Sequence, residues 1–214
     1  MCFALDREAT PLRRRLIATP QVRILVTGMG PRRSASSVEA EIAERRPSLL
    51  ITCGFAGALD PQLMHRQVLM ETQEDFLLQA FLKHGVLSGT FCCTHRIAIR
   101  AEEKRTLWEN TRASAVEMES GGIHQICARH KIPCATIRVI SDVASETLPL
   151  DFNQLRNADE QLTNRKLAWA ILTRPWIIPR LASLGRNSAQ ASEALAEILV
   201  RGIHDLMAGH SSMR

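Results

Sequence analysis

Acidic side chains close two apolar runs of this sequence. In "SAVEMES" (114–120), Glu117 and Glu119 stand two residues apart where a strand-like run meets "GGIHQICARH", and in "PCATIRVISDVASE" (133–146) the apolar part ends at Ser141 and Asp142. A further carboxylate, Glu8, lies in "ALDREAT" (4–10). Carboxyl groups at the ends of buried strands can serve as proton donor, base or hydroxyl-binding group in the crevice where an open α/β sheet takes its ligand. Plainer readings stand beside these: Glu119 as a charge complementing a helix N-terminus, Asp142 as a turn or cap residue, Glu8 as a solvated helix charge. Glu117 reads as structural or exposed. The apolar strand running into Asp142 would desolvate it and favour the protonated form that a donor needs.

Two glycine segments follow apolar runs. "VTGMGPRR" (26–33) fails both standard phosphate tests, because it lacks GxxxxGK[ST] and carries Arg33 at the third fingerprint position. It reads as a tight strand-to-helix turn or as a backbone approach to a sugar or anion. "CGFAGALDP" (53–61) is more specific: Gly54 and Gly57 make a loop that can come within contact distance of a ligand.

The elements that must position these groups read as α/β. "VRILVTG" (22–28), "SLLITCG" (48–54) and "CATIRVIS" (134–141) are nearly continuous apolar runs, as strands covered on both faces require. A helix over 34–46 completes a β-α-β unit, and 117–131 places Met118, Ile123, Ile126 and Cys127 on one helical face before Pro133. "RQVLMET" and "GVLSGTFCCTHRIAIR" suggest strands around a short helix near 75–84, and "EEKRTLWENT" suggests another helix. From about 153 onward the pattern is helical in three pieces, the last with an apolar face of Ala191, Leu195, Ile198, Leu199 and Ile203. The 214 residues, 45% hydrophobic, suit one domain with a mixed central sheet flanked by helices, residues 152–214 forming its helical C-terminal extension.

Composition narrows the partners. A charge of +5 with only 4% aromatics is a poor match for a nucleic-acid binder. The six cysteines have no metal-ligand spacing, so no metal is expected and the chain reads as reduced and cytoplasmic. No apolar segment approaches the length of a membrane span, and the N-terminus lacks a signal-peptide core.

The segments "VTGMG", "LLITCGFAGALDP", "AVEMESGGI" and "IRVISDVASE" resemble, in order and wording, the purine nucleoside phosphorylase and nucleosidase superfamily, which includes the methylthioadenosine/S-adenosylhomocysteine nucleosidases. The shortened middle, "TLPL" and the tail around "RPWIIPR" are most similar to its hopanoid-associated branch, for which the resemblance implies release of adenine from adenosylhopane. It also implies roles: Glu119 as the carboxylate gripping the ribose hydroxyls, Met118 packing on the sugar, Asp142 as the acid at the purine with Ser141 as a substrate-binding neighbour, and Glu8 as the group activating water. No cofactor is implied, and a homo-oligomer is.

Departures from the pattern shape the expected substrate. Phe55 replaces the Ser or Thr that holds phosphate in phosphorylases, and Thr52 stands in place of a phosphate-binding Arg, so water is the expected nucleophile. Phosphate stays open as a co-substrate if Arg13–Arg15 or Arg32–Arg33 fold toward the site. Arg96 takes the place of the aromatic that stacks on the purine, and Ile97 the place whose backbone reads the adenine edge. The segment that usually closes the 5′ side is reduced to "ETQEDFLLQAFLKHG", which suits a bulky hydrophobic 5′ substituent. Trp176, Ile177 and Ile178 between arginines suggest peripheral contact with the inner membrane surface, or packing within the fold. Competing expectations are a methylthioadenosine or futalosine nucleosidase, a purine nucleoside phosphorylase, and a nucleoside-binding protein without turnover.

Overall fold

The computed structural model describes residues 1–16, 19–155, 157 and 164–211. Two nine-residue strands, β3 (Leu50–Ala58) and β8 (Cys134–Asp142), run parallel through the middle of a mixed sheet. Outward from β3 lie β1 (Cys2–Phe3) and β2 (Leu25–Val26), both parallel; outward from β8 lie β4 (Val68–Thr72), antiparallel, and β5 (Leu87–Ser88). The end of β3 also pairs with β7 (Ala115–Glu117), which carries β6 (Phe91–Cys93) beside it.

Helices cover both faces, so the inner strands need apolar residues on each side. Successive residues of β1 and β3 enter opposite cores. Phe3 and Ile51 join Leu77 and Phe81 of α3 (Asp75–Leu82) and Leu195 and Leu199 of α7 (Ile178–Ser211), against which α1 (Asp6–Arg15) also packs. Cys2 and Leu50 join Val38 and Ile42 of α2 (Pro31–Glu44) and Ile123 and Ile126 of α5 (Ser120–Arg129). α4 (Ala101–Thr111) lies by the β6–β7 pair, and α6 (Asn164–Thr173) precedes a 3-10 turn at Pro175–Ile177.

The single mixed domain is the expected one, but the glycine loop after β3 is not a loop. β3 runs on to Ala58 because β8 pairs with it as far as Asp142 and β7 takes over at Gly57. The register slips between Ala56 and Gly57, setting Gly57 opposite Asp142, where an added Cβ would lie 2.9 Å from Asp142 Oδ2. The expected strand over 22–28 contracts to Leu25–Val26, and β1 is too short to show any period. The last two expected helices fuse into α7, whose Pro179 sits in the first turn, where no amide partner is lost. Of the expected helix from about 153, residues 156 and 158–163 lie outside the described residues.

Candidate active site

Arg138 is the hub. It sits on β8, buried on both faces and 1% exposed, so its charge requires partners within the protein. Its Nη2 donates to Glu117 Oε2 (2.6 Å) and Thr52 Oγ1 (3.2 Å) and lies 3.5 Å from Glu119 Oε2. Burial opposes its charge, but Glu117 and Glu119 outweigh that and raise its pKa.

Glu117 is buried and structural. Its Oε2 accepts the amides of Glu119 (3.0 Å) and Ser120 (2.9 Å), and its Oε1 accepts the Ser120 hydroxyl (2.6 Å), so one carboxylate ties β7 to the start of α5. Burial works against ionisation there, but Arg138 and these donors hold the group down to about 2. The sequence reading left Glu117 structural or exposed; a residue joined to four donors does not face solvent.

Glu119 is thereby fixed beside the start of α2. Its Oε1 accepts the Gly30 amide (3.0 Å), which a φ of +89° at Gly30 turns inward. Burial first, then the neighbouring Glu117 charge, push its carboxyl up to about 7 against the pull of Arg138. Glu8, on the first turn of α1, accepts the Leu5 amide at Oε2 (2.8 Å) and the Phe55 amide at Oε1 (3.1 Å). Burial raises its pKa as well, with Arg138 opposing. Gly54 lets these groups converge: its φ is +150°, and a Cβ would lie 2.8 Å from Arg138 Nη1 and 3.1 Å from Glu8 Oε1.

At the other end of the site, Lys104 of α4 donates its three N–H groups to Asp142 Oδ2 (2.5 Å), Val143 O (2.9 Å) and Glu146 O (3.1 Å). Ser141 Oγ donates to Asp142 Oδ1 (2.7 Å). The surroundings of Asp142 are thus not the purely apolar ones read from its strand. Lys104, fully buried, belongs to a segment that reads as an ordinary charged helix.

A cavity of about 410 Å³ joins these pieces. Glu8, Glu119, Asp142, Ser141, Met118 and Phe55 all line it; Gly54 stands just behind, its backbone against Glu8 and Arg138. Part of its lining is apolar, with Leu148 from the segment after β8 and Phe152, Leu167, Ile171, Leu181 and Leu184 from the C-terminal region. Arg96 and Ile97 also border it, but their expected contacts are taken. The Arg96 guanidinium pairs with Glu103, and the Ile97 N–H and C=O are both bonded to the Asn153 carboxamide at 2.9 Å. Arg13–Arg15 and Arg32–Arg33 do not line the cavity; Arg13 pairs with Asp6 and Arg15 with Glu193. A larger groove of about 710 Å³ near the start of β8 holds none of these acids. Among the described residues, no cluster of side chains is arranged to hold a metal ion, and no helix is long and apolar enough to cross a membrane.

Residues 75–173 match the model of the Phosphorylase superfamily, a span that contains Glu117, Glu119 and Asp142. Over that span, just under half of its length, the chain is similar to the phosphorylase superfamily. The chain is 23% identical over 167 residues to the 5'-methylthioadenosine/S-adenosylhomocysteine nucleosidase of Haemophilus ducreyi, covering 62% of this chain and 72% of that protein. It is 34% identical over 73 residues to the aminodeoxyfutalosine nucleosidase of Helicobacter pylori, 34% of this chain and 30% of that one. Its fold matches the H. pylori methylthioadenosine/S-adenosylhomocysteine nucleosidase solved with butyl-thio-DADMe-Immucillin-A, at a TM-score of 0.71 and 17% identity over 95% of this chain and 96% of the other.

Arg138 and Lys104 are the site residues that sequence reasoning missed. Arg138 left a signal, since a cation inside a strand apolar on both faces has to be paired. Lys104 left none.

Proposed function

We propose that this chain is a member of the phosphorylase superfamily that cleaves the N-glycosidic bond of an adenine nucleoside, with water as the nucleophile. The observation that carries the reading is the convergence of Glu8, Glu119 and Asp142, from three separate parts of the chain, on one cavity. Breaking the bond builds positive charge on the ribose and negative charge on the leaving purine, so a site needs carboxylates at the sugar and a proton source at the base. Glu119 grips the ribose hydroxyls, with Met118 against the sugar. Glu8, held by two amides and raised by burial, takes the proton of the attacking water. Asp142 passes a proton to the purine, and Lys104, bonded to its Oδ2, is the next group in line to supply it.

Water is favoured over phosphate by the carboxylates and by the lack of a hydroxyl at Phe55. Glu8 and Glu119 line the cavity, Arg138 is engaged by Glu117, Arg7 stands over the Phe55 ring, and Phe55 has no hydroxyl where a phosphate-holding one would be needed. The apolar part of the cavity lining supports a bulky hydrophobic 5′ group, as in adenosylhopane. The names of the relatives favour a second reading, a methylthioadenosine or futalosine nucleosidase, whose substrate carries no long hydrophobic 5′ chain. A series of 5′-alkylthioadenosines in phosphate-free buffer separates them. The first reading expects free adenine without phosphate and kcat/KM rising with alkyl length; a strict phosphate requirement would sink the water route, and a fall with length would sink the hydrophobic 5′ group.

A further inference from the structure

The C-terminal region presents an apolar face to both sides. The inner side of α6 lines the cavity through Leu167 and Ile171, and Ile177 of the following turn is buried on Leu150 and Leu155. The outer side carries Trp169, Leu172 and Trp176, which are 67%, 73% and 71% exposed, with Ile178 half exposed beyond them. A helix packed on a fold by one stripe normally turns polar residues outward, so this second apolar side is unexplained by the fold.

Charge narrows what covers it. Residues 164–192 hold five cations, Arg165, Lys166, Arg174, Arg180 and Arg186, and no Asp or Glu. Indole rings among cations, without acids, match the headgroup region of an anionic bilayer, where Trp sits at the interface and Lys or Arg meets lipid phosphate. A second copy fits poorly, since a two-fold contact through this face would oppose like charges. We propose that the outer face of α6 and the turn after it docks on an anionic lipid surface. Any homo-oligomer then uses another face. Together with the reaction proposed above, on which this step alone rests, docking names the substrate class: an amphiphilic nucleoside whose apolar 5′ group enters the cavity from the bilayer side, along Leu167 and Ile171.

The test is co-sedimentation of the full chain with vesicles of phosphatidylglycerol and phosphatidylcholine, against phosphatidylcholine alone. The wild type is expected to sediment with the anionic vesicles and to leave them at about 0.5 M salt, and W169E/W176E to bind about tenfold more weakly. The proposal is overturned if the wild type stays in solution, if W169E/W176E binds equally well, or if light scattering shows a wild-type dimer that W169E/W176E splits, in which case a second copy covers the face. Neither Trp lines the cavity, so adenine release from a water-soluble nucleoside, measured without vesicles, should be unchanged in the variant. A wild type that releases adenine but does not bind the vesicles would overturn the docking and leave the reaction standing.

Discussion

Lys104 Nζ lies 2.5 Å from Asp142 Oδ2 in a place solvent barely reaches, and its other two protons are spent on backbone carbonyls. The pair joins α4 to the end of β8, so it holds the site together as well as serving it. Lys104→Met leaves a buried carboxylate without its cation, which should cost about 3–5 kcal/mol. Adding Asp142→Asn should recover much of that loss in denaturant unfolding while turnover stays absent. Equal stability of wild type and Lys104→Met would show that the pair contributes little.

Glu119 is held near 7 in the folded chain, above the ordinary 4.5. A carboxyl raised in this way contributes stability that is fully present below about 4.5 and lost as pH rises through about 7; Glu8 shifts in the same direction. Unfolding midpoints should therefore fall between pH 5 and 8 in the wild type and stay flatter in Glu119→Gln. In the reaction proposed above the ribose grip uses the ionised form of Glu119, so kcat/KM should climb over the same interval. A wild-type midpoint that rises with pH would contradict the assignment.

Gly54 combines a positive φ with a side-chain position already taken by Arg138 and Glu8. Gly54→Ala should cost about 1–3 kcal/mol from backbone strain alone, and turnover should fall further than stability because both displaced groups belong to the site. Thermal unfolding and kcat measured on the same preparation will compare them.

The Asn153 carboxamide occupies both backbone groups of Ile97, offering one acceptor and one donor. An adenine edge offers a similar pair, so base and side chain compete for the same peptide. Asn153→Ala should tighten adenine binding severalfold in calorimetry. Weaker binding would mean that Asn153 holds the pocket in shape.

The fold was legible where the residues were numerous and apolar. β3 and β8 announce themselves by runs too apolar for a one-sided sheet, and the acids stand out because charge at the end of such a run needs a reason. Short elements were not legible: β1 has two residues, and its placement comes from pairing with Thr52 and Cys53. Nor could spacing reveal that Gly54 and Gly57 lie within a strand, since that depends on β8 and β7 claiming its far end. The pairing of Ile97 with Asn153 spans 56 residues, and no local pattern encodes it.

The most direct measurement is adenine release from 5′-methylthioadenosine by the wild type and by Glu8→Gln, Glu119→Gln and Asp142→Asn, each first shown to unfold cooperatively. The account predicts steady release by the wild type and a fall of at least about a hundredfold in each variant, the lower end for loss of a positioned acid or base. Turnover unchanged in the folded variants would contradict it.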